Sequence, residues 1–172
     1  GLPDTGQTKC YDRTGVEIPC DSPTCPGQDG SYATGCPSEG RFTDNGDVTV
    51  TDNCTGLQWQ KDTADVNGDG QTTDQDYVPW CDALAYCEDL SLAGHDDWRL
   101  PNVRELQSIV DYWRFDGAIN PMFGAFGSCY WSSTFGAVSP VYAWVVHFYY
   151  GYVFDDVERD VFFYVRAVRR GT

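Results

Sequence analysis

The run Ala143-Trp144-Val145-Val146-His147-Phe148-Tyr149-Tyr150-Gly151-Tyr152-Val153-Phe154 leaves the chain few options. β-Branched and aromatic residues favour a pleated strand, and in a strand alternate side chains point to opposite faces. Trp144, Val146 and Phe148 then form one face, a core stripe. Val145, His147 and Tyr149 form the other. A turn near Gly151 brings the chain back with Val153 inward and Tyr152 and Phe154 outward. The outward face is aromatic and apolar with little charge. A soluble chain seldom leaves such a patch exposed unless something binds there, so this segment is the leading recognition surface.

The 172 residues suffice for one domain with a sizeable core. A formal net charge of -15 excludes a basic footprint for nucleic acid. It would also be repelled by an anionic membrane surface, and no stretch is long and apolar enough to insert. The cysteines number eight, several of them closely spaced near the amino end. That pattern calls for disulfides and an oxidising, extracellular location.

Residues 1–40 are rich in Gly, Pro, Cys, Ser and Asp without helical periodicity and read as an irregular arm packed on a domain spanning 41–172. Cys10 and Cys20 close a small looped hairpin, and Cys25 and Cys36 close the next loop. Each bridge is worth roughly 3 kcal/mol for a loop of about 15 residues. No pair has the CxxC spacing of a zinc site, and histidine is scarce. Phe42 to Lys61 reads as paired hairpins, with Asp44-Asn45-Gly46-Asp47 and Asp52-Asn53-Cys54-Thr55-Gly56 as turns. Trp80 to Leu90 is a helix with Trp80, Leu84, Cys87 and Leu90 on one stripe. Asn102 and Glu105 have the spacing of a capping box, opening a second helix to about Asp111 that buries Leu106, Ile109 and Val110. From Cys129 onward the chain reads as short strands and loops. Two helices among many strands imply the α+β class.

Residues 65–76 carry the sharpest chemical motif. Asp65, Asn67 and Asp69 occupy loop positions one, three and five. Gly70 takes the sharp turn at six, Gln71 offers its carbonyl at seven, and Asp76 closes at twelve. Hard oxygen donors at this spacing suit Ca²⁺ in a structural role. The loop resembles those of dockerin modules, which also close on Asp.

Catalytic constellations are weak. His95 lies in a turn, and His147 lies on the outward face. Neither is placed for a nucleophile–base pair. Phosphate-loop, dinucleotide and GxSxG fingerprints are absent. Asp155 and Asp156 are sequence neighbours that repel rather than share a proton.

Several segments together carry a resemblance: Thr5-Gly6-Gln7-Thr8-Lys9-Cys10-Tyr11-Asp12, Phe42-Thr43-Asp44-Asn45-Gly46-Asp47, Thr55-Gly56-Leu57-Gln58-Trp59, Asp97-Trp98-Arg99-Leu100-Pro101-Asn102, Tyr130-Trp131-Ser132-Ser133-Thr134 and Tyr164-Val165-Arg166-Ala167-Val168-Arg169. In this order they resemble the Lcl C-terminal-like domain family of bacterial and archaeal surface proteins. The resemblance implies a C-type lectin-like fold. It also points to variable proteins of diversity-generating retroelements, in which mutagenic reverse transcription rewrites the adenines of a carboxy-terminal cassette, here about 130–169. The candidate variable positions are Phe135, Val138, Val141, Tyr142, Val145, His147, Tyr149, Tyr150, Tyr152, Phe154, Asp155, Asp156, Val157, Asp160, Val161, Phe162 and Phe163. Each residue type is reachable from an Asn codon by changing adenines alone, whereas Glu158 is not.

The expected function is a non-enzymatic display protein, located on a cell surface, on a virion or otherwise outside the cell. Its changeable face would bind a protein or glycan receptor, with aromatic side chains supplying contact area at low entropic cost. One alternative is a fixed adhesin of the same fold. Another is an oxidase of the formylglycine-generating type, which would need a pair of reactive cysteines.

Overall fold

The computed structural model describes residues 2–32, 34–114 and 117–171. They form a mixed α+β structure of mostly short strands with few helices. The arm contributes β1 (Cys10–Tyr11), β2 (Glu17–Ile18) and the short helix α1 (Asp29–Tyr32). The domain follows as β3 (Phe42–Asp44), β4 (Thr49–Asp52), β5 (Leu57–Gln60), a 3₁₀ turn at Asp74–Asp76, α2 (Trp80–Asp89), α3 (Val103–Ser108), β6 (Cys129–Phe135), β7 (Tyr142–His147), β8 (Tyr152–Glu158) and β9 (Val168–Arg170).

Three antiparallel sheets result, in the orders β1-β2, β3-β4-β5-β9 and β6-β7-β8. Gly46 makes the β3–β4 turn with φ of 74°, a region closed to most side chains, and its N–H donates to Asp44 Oδ1. β9 pairs with β5, so the end of the chain returns to the domain's first strands.

Local chemistry explains both domain helices. Pro79 pre-sets φ at -64° before α2, which buries Trp80, Ala83 and Cys87. In α3 the capping box is complete. Asn102 Oδ1 accepts from the N–H groups of Arg104 and Glu105 at 3.0 Å, and Glu105 accepts from Asn102 N–H at 2.9 Å. Arg99 adds a two-pronged pair to Glu105 at 2.7 and 2.8 Å. The helix stops at Ser108 rather than near Asp111, because Asp111 N–H turns away to Ala118 O.

Two cores sandwich the β6–β8 sheet. Tyr130, Val146 and Phe148 join Trp59, Leu106, Ile109, Val110 and Tyr164 on one side. Trp131, Ala143 and Val145 join Trp80, Trp98, Leu100 and Val165 on the other. Arg166 ties the layers together. Its guanidinium is fully buried and donates to the carbonyls of Gln60 (2.7 Å), Lys61 and Gly124 (2.9 Å). Burial pulls its pKa below the ordinary arginine value.

The pairing on both sides of β7 is irregular at Trp144. Opposite this residue, β8 holds both Asp155 and Asp156 between the pairs Val145–Phe154 and Ala143–Val157. β6 also changes register between Trp131 and Phe135. Bulges of this kind re-aim side chains. Val145, expected on the outward face, is fully buried, and Trp144, expected in the core, is only half-buried. The second core, built on Trp80 and Trp131, covers the face that alternation would leave open.

The cysteine pairing also differs in part. Cys10 and Cys20 are bonded. Cys36 bonds Cys54 instead of Cys25, which is an exposed free thiol. The β4–β5 turn carries Cys54 to the arm, and sequence proximity gives no hint of that approach. The bond fastens the arm to the domain across a separation of 18 residues. Among the described residues no helix is long and apolar enough to cross a membrane.

Candidate functional site

The turn joining β7 to β8 closes at Gly151, whose N–H donates to His147 O at 2.8 Å. Gly151 has φ of 72°, and a Cβ there would meet Tyr112 Cε1 at 3.0 Å. Glycine is therefore required twice over, by conformation and by space.

Around this turn the side chains form a continuous run of rings. Tyr149 meets Tyr150 edge to face with centroids 4.6 Å apart, and His147 lies 5.2 Å from Tyr150. Tyr150 stacks on Tyr152 at 5.4 Å, and Tyr152 meets Phe154 edge to face at 6.0 Å. These separations lie within the roughly 4.5–7 Å at which aromatic rings attract one another. The rings hold one another in place while facing solvent. Tyr150 and Tyr152 are each 58% exposed, far above the level of a core residue.

His147 is neutral in this arrangement. Tyr149 N–H donates to its Nδ1 at 3.1 Å, which leaves the ring proton on Nε2. Partial burial holds its pKa below the ordinary histidine value. At neutral pH the ribbon is uncharged, and the carboxylates of Asp155 and Asp156 follow it along β8.

The remaining candidate positions divide by exposure. Phe135, Val138, Val141, Asp155, Asp156, Asp160, Val161 and Phe162 are exposed on the strand ends and connections of this sheet. Tyr142, Val157 and Phe163 are half-buried. Val157 and Phe163 pack on the second core, and Phe163 meets Trp131 edge to face at 5.0 Å. Val145 belongs to that core outright and cannot touch a ligand. Tyr112 borders the hairpin at Gly151, and Trp144, expected in the core, is half-buried on β7. No local signal marks either, since one comes from a distant loop and the other depends on the bulge.

The 65–76 loop is tightly coiled on its own backbone. Asp65 accepts from the N–H groups of Gly68 (2.8 Å), Asp69 (3.2 Å) and Gly70 (2.7 Å). Asn67 Oδ1 accepts from Asp69 N–H at 2.9 Å, and Asp69 Oδ1 from Gln71 N–H at 2.8 Å. Asp76 is fully buried and accepts from Val66, Asn67 and Thr73 N–H groups. The oxygen-only donor set, its order and the ring closure onto Asp76 fit a hard cation. Among the described residues, however, no three acidic, His or Cys side chains converge on one point. The fit is one of donor chemistry and loop path.

The thiols bear on oxidase chemistry. Burial pushes the Cys129 thiol up to about 11, and the buried Cys87 thiol further. Neither is a thiolate at neutral pH, whereas the thiolate is the reactive form. Cys25 and Cys81 are exposed, on the arm and at the start of α2 respectively.

No curated protein matches the chain. The family model of the Lcl C-terminal domain matches residues 48–169. The matched span takes in the 65–76 loop, both domain helices and the whole β6–β8 sheet. The chain belongs to the Lcl C-terminal domain family.

Proposed function

We propose that this protein is a non-enzymatic, extracellular display protein of C-type lectin-like fold, whose β6–β8 face is diversified by a retroelement and binds a receptor on a cell surface. The observation that carries this reading is the ribbon from His147 to Phe154. It is a run of exposed rings on a hairpin whose root is locked into two cores. Side chains at its tip can change without disturbing the root. Aromatic residues give contact area with few rotatable bonds, as in antibody paratopes. The two disulfides support an oxidising location. Ca²⁺ has a structural role in this reading. Asp65, Asn67 and Asp69, the Gln71 carbonyl and Asp76 would hold it, and the ion would brace the segment leading into α2.

Sequencing the DNA beside the gene tests the reading. The expected result is a near-copy of the region encoding residues 130–169, differing only at adenines, next to a reverse transcriptase. Without such a copy, a fixed adhesin becomes the better account. Val145 makes the test sharper. A buried residue tolerates few replacements, so a copy that varies codon 145 freely would conflict with this packing.

A further inference from the structure

Charge separates the classes of partner that the aromatic ribbon could take. Between Cys129 and Val165 the only lysine or arginine is Arg159. Its guanidinium lies 4.7 Å from the Trp80 ring centroid, and its carbonyl accepts from Trp80 N–H at 3.0 Å, so it is turned toward the body of the domain. Asp155, Asp156, Glu158 and Asp160 are all exposed, and none forms an ion pair among the described residues. Asp155 follows Phe154 directly, so carboxylates begin where the ring ladder ends.

The main chain adds a third feature. β8 is the outer strand of its sheet and pairs only with β7. It runs for seven residues, and the hydrogen bond that reaches its main chain from outside the hairpin among the described residues lies at its last residue, where Glu158 O accepts from Val161 N–H at 3.3 Å. Short of that last residue the edge is a template for an added strand.

We propose that the ribbon and the β8 edge together take an extended, arginine-bearing polypeptide segment of the partner. The proposal rests on the display reading and narrows it. Guanidinium planes stack on tyrosine faces within about 6 Å of the ring centroid, which an ammonium does less well. The carboxylates pair with the same side chains, and the β8 edge bonds the segment's backbone. A neutral glycan would leave the carboxylates unpaired, and an acidic partner would be repelled by the chain's net charge of -15.

Hexa-arginine and hexa-lysine peptides, fluorescently labelled and titrated against the full chain at low and high salt, test this directly. Hexa-arginine is expected to bind more tightly than hexa-lysine. Affinity should fall at least about five-fold in Tyr150→Ala/Tyr152→Ala and in Asp155→Asn/Asp156→Asn. The control Glu88→Gln/Asp89→Asn, at the carboxyl end of α2, should change it little. Thermal melts verify that each variant is folded. Equal binding of the two peptides, or equal loss in the α2 control, would mean diffuse charge attraction and overturn the proposal. So would no binding at low salt, or a saturable response to neutral chitotriose in place of hexa-arginine. An adenine-only repeat beside the gene, found together with any of those failures, would keep the display reading and remove only the cationic partner.

Discussion

Ser132 Oγ donates to the carbonyl oxygen of Trp144 at 2.8 Å, at the point where both neighbours of β7 change register. A serine here restores a hydrogen bond that an irregular ladder would lose. The residues on either side of Trp144 are buried, Ala143 and Val145 in one core and Val146 in the other.

That arrangement predicts opposite outcomes for neighbouring positions. Val145→Ala should cost roughly 1.5–3 kcal/mol as a fully buried side chain. Tyr152→Ala should stay within about 0.5 kcal/mol of the parent as an exposed one. Trp144→Ala should fall between them. Urea unfolding of the three variants checks the order, and a Tyr152→Ala loss equal to that of Val145→Ala would mean the rings are structural.

Arg166 should be irreplaceable. Arg166→Met removes the guanidinium's hydrogen bonds to the carbonyls of Gln60, Lys61 and Gly124, and a hydrogen bond to a charged group contributes about 1.5–3 kcal/mol. Arg166→Lys should also be strongly destabilised, because one ammonium lacks the fork that spans three acceptors. Recovery of soluble protein and its thermal midpoint are the readouts, and a lysine variant melting like the parent would refute this.

Acid stability should turn on Asp52. Burial raises its pKa, but hydrogen bonds from Arg41 and Thr55 outweigh burial and leave it below the ordinary carboxylate value. A lowered folded-state pKa contributes stability above the unfolded value of about 3.9, and that stability is lost as pH falls through the folded value. Asp52→Asn strands a buried guanidinium and should cost about 3–5 kcal/mol at neutral pH. Its stability should also decline less between about pH 5 and pH 2 than that of the parent, which parallel melts would reveal.

Native protein should show two accessible thiols. Cys25 and Cys81 are exposed, while Cys87 is buried and Cys129 is pushed up to about 11 by burial. Alkylation at neutral pH followed by peptide mapping should label the first pair quickly and the second only on unfolding. Rapid labelling of Cys87 and Cys129 would revive the oxidase alternative.

Chelation should lower the thermal midpoint. An ion present at about 100 times its Kd stabilises the folded state by about 2.7 kcal/mol. Asp76→Asn should abolish the response because Asp76 closes the loop from its buried position. A midpoint indifferent to chelator and to added Ca²⁺ would rule out the structural role.

Much of this was legible locally. The Asn102–Glu105 box, the Trp80 stripe and the Cys10–Cys20 loop depend on residues close in sequence, and each formed. The features that were illegible involve distant partners. Cys36 reaches Cys54 because the β4–β5 turn approaches the arm. Val145 keeps the face that alternation gives it but is buried because Trp80 and Trp131 build a second core there. For the candidate site, composition marked the ring residues, but burial decided which of them reach solvent.

The return of β9 to β5 has a practical corollary. Residues 166–170 fasten onto residues 57–61 through a strand ladder and a buried guanidinium. The segment between them therefore begins and ends at clamped points, like a cartridge seated in a housing. Foreign side chains placed at positions 150, 152 and 154, on either side of the fixed Gly151, would inherit a rigid frame, which makes this small acidic domain a ready host for engineered binders.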